Sequence, residues 1–463
     1  MKIFSSKNKT NTNRYEVDMT SGSLLPKILV FSIPLMLSGI LQLLFNAADL
    51  IVIGQYSSSD ALAAVGATSS LVNFFVNVII GFSVGCNVVV SKNFGAGKEK
   101  AVHDSVHTAM SLCLILGVGV GLVAFIASRP ILSVMDTPDN IIDLSVLYVH
   151  IYFAALPATV IYNFGSAILR AIGDTKRPLY YLSIAGVINV LLNLFFVICC
   201  NMSVDGVAYA SAISQIISAF LVVRCLMKSN GAYKLILKDL KIDKKILSQI
   251  VRIGLPAGIQ GMIFSFSNLI IQSSINFFGG NAMAGSTACQ SIEGFVYTSM
   301  NAIYQTNLSF TSQNYGAAKF DRIKKILLEC VIICAVLGLV MGNLAYIFGH
   351  ALLGIYLPDN EEAINYGLIR MKVICTTYCT CGLMEVFCGT LRGLGYGILP
   401  MVVSLIGACG LRILWIYTIF QNNHTLDVLF MSYPITWIIT IIAHAISIVI
   451  VWKTKIKKNI FVS

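Results

Sequence analysis

The sequence predicts an all-α integral membrane protein of twelve transmembrane helices, built as two parallel six-helix repeats. Three observations carry this reading. Of the 463 residues, 57% are hydrophobic and only 11% charged, against about 25% charged in an ordinary soluble domain. The two halves repeat each other. Ile33-Pro34 matches Leu255-Pro256, Asn46 matches Asn268, and Leu169-Arg170-Ala171-Ile172-Gly173 matches Leu391-Arg392-Gly393-Leu394-Gly395, all at an offset of 222. Pro178 and Pro400 extend the last block, and Asn93–Lys98 matches Asn314–Lys319 at 221. Blocks that hold one register mark two copies of one unit. Finally, the basic residues fall in alternate gaps between the apolar runs, as the positive-inside rule requires of a many-pass chain.

A spanning helix needs about 20 mostly apolar residues. The first half offers 26–54, 61–90, 102–128, 141–169, 179–200 and 206–227. The second offers 248–278, 283–312, 326–349, 363–391, 398–420 and 427–452. Pro34, Pro157, Pro256 and Pro434 lie inside spans, where a missing N–H and a ring clash favour bends. Pro34 and Pro256 are repeat partners, so helices 1 and 7 are expected at the seam with these prolines as hinges. With the amino terminus in the cytoplasm, 28 of the 32 Lys and Arg lie on the inner side. The others are Arg129, Arg370 and Lys372 on the outer side and Arg412 within helix 11. Six spans per copy is an even number, so both copies insert the same way up.

The expected organisation is an inner tail (1–22), a first lobe (23–228), a basic linker (229–247), a second lobe (248–452) and an inner carboxy-terminal tail (453–463). Met1–Thr20 is polar and lacks the apolar core of a cleavable signal. The linker carries Lys234, Lys238, Lys241, Lys244 and Lys245 among Leu and Ile. It reads as an amphipathic segment on the inner leaflet or as a plain solvated connection. The net charge of +11 does not mark a nucleic-acid partner, because the charge sits in membrane-flanking gaps. The 13 Cys lie mostly in apolar runs without a paired CxxC, so Cys375, Cys379 and Cys381 read as packing. His103 and His107 have metal-ligand spacing but open helix 3 at its edge, and read as a surface face. Asn93–Lys98 is a turn, not a phosphate loop. No catalytic set, metal or organic cofactor is expected.

Three carboxylates fall inside spans: Asp49, Glu293 and Glu385. A carboxylate at the bilayer centre costs about 2.5–3.5 kcal/mol even on insertion scales, so such groups face cavities and mark ion or substrate paths. Their repeat partners are Ile271, Val72 and Asn163, so the charges distinguish the two lobes. All three are candidates for ion coupling, and the alternative for each is a cap or a pair with a nearby cation, Arg392 for Glu385. Gln42 and Asn46 precede Asp49 on roughly its helical face. With Asn73, Asn163, Asn189 and Asn193 they form a candidate substrate or ion cavity, Asn189 and Asn193 standing one turn apart. Interhelical hydrogen bonding is the alternative for each amide.

The run Pro34–Gly54, ending Asn46-Ala-Ala-Asp49-Leu-Ile-Val-Ile-Gly54, resembles helix 1 of the multidrug and toxic compound extrusion (MATE) transporters. So do Gly95-Ala-Gly97-Lys98, Gln313-Asn-Tyr-Gly316-Ala and Leu169-Arg170-Ala-Ile-Gly173-Asp174-Thr-Lys176-Arg-Pro178. The resemblance covers all twelve helices. It implies a V-shaped pair of lobes in the plasma (inner) membrane that exports amphiphilic cationic compounds in exchange for H⁺ or Na⁺, with the family's helix 1 acid at Asp49. Some members carry a cation-site acid in helix 7; this helix 7 has none, which leaves Glu293 and Glu385 as alternative positions. A monomer is expected, with small organic molecules and membrane lipid as partners. A lipid-linked oligosaccharide flippase of the same superfamily would want a cationic central cavity, where only Arg412 lies deep in a helix. A membrane enzyme would want a catalytic constellation that the chain does not display.

Overall fold

The computed structural model describes residues 15–135, 137–358 and 360–456. The outer acids Asp136 and Asp359 and the tail cations Lys2, Lys7, Lys9, Arg14, Lys457 and Lys458 lie outside the described residues. All regular structure among those described is helical. The spans are α1 (Leu24–Tyr56), α2 (Ser59–Gly95), α3 (Glu99–Val134), α4, α5 (Lys176–Cys199), α6 (Val204–Lys228), α7 (Lys244–Asn276), α8 (Gly280–Gly316), α9 (Phe320–Ile347), α10 (Glu361–Gly393), α11 (Ile398–Phe420) and α12 (Leu426–Val451). α4 is a broken pair, Asp139–Ala154 and Leu156–Ala171, bent by 46°. The break falls beside Pro157, which opens the second piece, where its missing N–H is not needed. α1, α7 and α12 remain helical through Pro34, Pro256 and Pro434. A short helix, Gly349–Tyr356, follows α9; the apolar run ending at 349 gave no sign of it.

Among the described residues, ten helices are long and apolar enough to cross a membrane, and α4 makes eleven if its halves are one span. α8 is the polar exception among the twelve. Its C-terminal half buries Thr306, Asn307, Ser309, Thr311, Ser312, Gln313 and Asn314. It tolerates them because α1, α2, α7, α9 and α10 surround it, and its hydroxyls and amides bond within the helix or across to α10, as in Thr306 Oγ1 to Ala302 O at 2.7 Å and Asn307 Nδ2 to Val386 O at 2.7 Å.

The repeat survives in three dimensions. α1 packs on α8 while its partner α7 packs on α2, and α2 and α8 pack on each other. Asn87 and Ser309, 222 apart, meet across the seam, Ser309 Oγ donating to Asn87 Oδ1 at 3.1 Å. Gly95 faces the Gln313 backbone while Gly316 faces the Lys92 backbone, the same contact made twice. Gly81 and Gly85 of α2 meet Gly254 and Gly258 of α7. A Cβ on Gly254 would stand 2.7 Å from the Cα of Phe82, so glycine is what lets these backbones approach.

Call the end that carries Tyr15 and the interlobe linker the near end. The lobes are joined there. Among the described residues the interlobe hydrogen bond farthest from it is Asn77 Nδ2 to Ser265 Oγ, 3.3 Å, about mid-span. Two segments reinforce the near end. The chain before α1 is a strap. Val17 N bonds Gly173 O at 3.1 Å in the first lobe. Then Asn314, Lys319 and Arg322 of the second lobe donate to the carbonyls of Met19, Thr20, Ser21 and Gly22 at 2.7–3.2 Å. The linker lies along one polar stripe of α3. Ile236 N donates to His107, Asp243 N to Thr108 Oγ1 and Ser111 Oγ to Lys241 O, and Lys241 pairs with Asp104 at 3.0 Å.

Candidate ion and substrate site

Asp49 sits two turns from the far end of α1, partly buried against α5 and α6. Asn193 Nδ2 donates to its Oδ1, and Ser211 Oγ donates to its Oδ2 at 3.3 Å. Asn189 completes the cluster, its Nδ2 on Ser211 Oγ at 3.3 Å and its Oδ1 accepting from Asn193 at 3.4 Å. Asn193 and Asn189 are buried, one turn apart, as their i,i+4 spacing dictates. A π turn, Phe195–Cys199, follows them, and its counterpart Ile416–Phe420 occupies the equivalent place in α11. No ion pair to Asp49 occurs among the described residues. Asn193 Oδ1 is buried without a hydrogen-bond partner. The cluster therefore offers a carboxylate, two amide oxygens and a hydroxyl to a hard cation, which oxygen ligands suit. Ser211 is a site residue that sequence reading misses, because a serine in an apolar helix is commonplace.

The other predicted cavity residues are not drawn into this cluster. Asn163 Nδ2 bonds Thr159 O of its own helix at 2.8 Å. Gln42, Asn46 and Asn73 are exposed. α1 exposes two faces at about 100° per residue. Leu29, Ile33, Leu37, Leu44 and Ile51 form an apolar one. Gln42 and Asn46 lie on the other side, between Gly39 and Leu43, which touch α8, and Phe45, which touches Gly186 of α5. They thus lie on the same side of α1 as Asp49, between its contacts with α8 and with α5.

The second lobe corrects two expectations. Arg370, in the far half of α10, is not an exposed flanking cation: it is buried and holds Glu293 through two parallel bonds, Nε to Oε1 and Nη2 to Oε2, both 2.8 Å. Its Nη1 donates to Ser286 Oγ at 2.8 Å, and its guanidinium lies over Phe430 and Tyr433. A bidentate guanidinium saturates a carboxylate, so Glu293 is not a free acid. Arg412 is also not the lone deep cation. Arg392 is buried at the near end of α10 and donates to Tyr304 Oη at 2.7 Å and Gln260 Oε1 at 2.9 Å. Arg412 stacks on Tyr433 at 4.0 Å. Glu385 is partly buried, has no ion-pair partner among the described residues, and feels the charge of Arg392 seven residues on.

Among the described residues, two clusters have metal-ligand composition, and in each the ligand atoms are already engaged. Around His103, His107 and Asp239, His107 uses both ring nitrogens: Nδ1 donates to His103 O at 2.7 Å, and Nε2 accepts from Ile236 N at 3.0 Å. In the group of Cys289, Glu293 and Cys375, Arg370 occupies both oxygens of Glu293.

Known proteins fit this geometry. The MatE family model matches twice, at residues 34–195 and 256–418, one match per lobe. The chain is 26% identical to the probable multidrug resistance protein YoeA of Bacillus subtilis, over 92% of this chain and 94% of that protein. It is 21% identical to the multidrug export protein MepA of Staphylococcus aureus, over 83% and 85%. A solved MATE family transporter of the MOP superfamily, in an outward-facing conformation, superposes with a TM-score of 0.87 at 21% identity, over 94% and 98% of the two chains. With both repeats matched by the family model and the twelve-helix fold shared, the chain belongs to the MatE family of multidrug efflux transporters.

Proposed function

We propose that this protein exports amphiphilic organic cations by alternating access, driven by H⁺ or Na⁺ entering at Asp49. The carrying observation is the environment of Asp49: a carboxylate inside a span, held by neutral donors, with a spare amide oxygen beside it and, among the described residues, no guanidinium or ammonium to balance it. Burying a charge without a counter-charge is costly, so the site gains most by taking a cation. The relatives' names, a multidrug resistance protein and a multidrug export protein, support export of varied organic compounds. Joined at the near end, the lobes present Asp49, Gln42 and Asn46 toward the far end, taken as the outside of the cell. Loading Asp49 from there favours the opposite state, in which substrate from the cytoplasm or inner leaflet competes for the cavity. The two fluxes are coupled because each ligand prefers a different state. Glu385 serves as a secondary polar group, and Glu293 holds α8 to α10 through Arg370.

Proteoliposomes with an imposed H⁺ or Na⁺ gradient test this. Efflux of a fluorescent organic cation should accelerate with one inward gradient. Indifference to both gradients would rule the reading out.

A further inference from the structure

We propose that the groove between α5 and α6 at the near end is a binding site for the phosphate headgroup of an anionic phospholipid. A cavity of about 330 Å³ lies there, lined by Arg177 and Tyr181 of α5 and Leu221, Arg224, Cys225 and Lys228 of α6. The α6 residues recur at three and four positions and form one stripe. Three cations converge. Asp174 pairs with Arg177 and offsets one of them, which leaves two in excess. Arg177 lines the cavity and is held in place by Asp174, by Nη1 to Cys225 Sγ at 3.2 Å and by the ring of Tyr15. Guanidinium donors fixed in this way suit phosphate oxygens.

The repeat shows that the fold does not require these cations. At an offset of 222, Arg177, Arg224 and Lys228 correspond to Leu399, Ile446 and Ile450. The second lobe builds the same corner from aliphatic side chains, so the basic set answers something other than packing. Its position selects the ligand. Toward mid-membrane the same two helices expose Tyr180, Ile184, Val187 and Leu191 on α5, and Ile213, Ile216 and Phe220 on α6. A molecule with its phosphate among the cations and its acyl chains along those side chains fits the whole groove. Basic pockets between spans on the cytoplasmic side bind anionic headgroups in this manner.

The test uses the purified full-length protein in neutral detergent, with lipid adducts read by native mass spectrometry. The probes are phosphatidylglycerol, phosphatidylcholine of matched chains, and inorganic phosphate. The wild type should retain phosphatidylglycerol preferentially. Arg224→Ile with Lys228→Ile, the second lobe's own residues, should weaken that binding roughly 25-fold, at about fivefold per cation, and leave phosphatidylcholine binding unchanged. If that variant misfolds, Arg224→Gln with Lys228→Gln should show the same loss. Equal retention of the two lipids, or an undiminished preference in a folded double variant, overturns the proposal. Inorganic phosphate that displaces the lipid and alone raises the melting temperature overturns the choice of a lipid, because it assigns the groove to a soluble phosphate compound.

Discussion

Three carboxylates of one chemistry, each inside a span, end in three different environments. Asp49 meets only neutral donors, Glu293 a bidentate guanidinium, and Glu385 the field of an arginine seven residues away. Asp49→Asn should insert and melt like the wild type but lose gradient-driven efflux, because an amide keeps the Asn193 and Ser211 contacts in part and cannot carry the charge. Efflux assays at matched expression check this. Glu293→Gln leaves Arg370 buried and half-satisfied, which costs about 3–5 kcal/mol when a buried pair is broken. Its defect should appear as a lowered melting temperature and poor expression. Glu385→Gln should be milder on both readouts, since the first lobe carries an amide, Asn163, at the equivalent position. A more severe loss at Glu385 than at Glu293 would contradict this ranking. Asp49, Asn189 and Asn193 are legible in the sequence because a lone acid in an apolar run and two amides one turn apart are rare. Arg370 is not legible as a partner. It and Lys372 lie two apart near the start of one helix, one facing inward and the other exposed, and only the rotation of α10 against α8 separates them.

Among the elements, α8 shows how far hydropathy reaches. It is too polar to qualify as a span by composition, yet the repeat demands it, because its partner α2 is apolar and five neighbours keep α8 from lipid. The broken α4 is legible from Pro157, whereas the helix at Gly349–Tyr356 is hidden in a continuous apolar run. Sequence periodicity also cannot show that the strap before α1 touches both lobes, since those contacts run from side chains near residue 320 to backbone carbonyls near residue 20. That strap is expected to hold the near end shut. Lys319→Ala with Arg322→Ala removes the charged donors to residues 19–22 and, at about 1.4 kcal/mol per decade, should shift the equilibrium between the two lobe arrangements roughly tenfold toward an open near end. Spin labels at the exposed Lys100 and Lys324 would report a longer distance. An unchanged distribution would show that the glycine seam suffices alone.

At the scale of the molecule, the duplicated chain makes a self-complementary seam, with Asn87 on Ser309 and the paired glycine contacts of α2 and α8 around the pseudo-two-fold axis. On the proposed mechanism the two packed lobes rock about this seam. Labels at Lys100 and Lys324 should separate as labels at Ser59 and Gly280 approach, and the two changes should respond in opposite directions to substrate and to the driving cation. The offset of 222 makes the seam legible from sequence in outline. The lobe asymmetry is legible only in part, because it depends on which buried charges find partners. The proposed mechanism converges on Asp49, so the decisive measurement follows organic-cation efflux and cation influx together in proteoliposomes holding either the wild type or Asp49→Asn. Wild-type protein should move the two in opposite directions under an inward H⁺ or Na⁺ gradient, and folded Asp49→Asn should move neither. Coupled exchange that persists in Asp49→Asn would contradict the assignment of the driving site to this carboxylate.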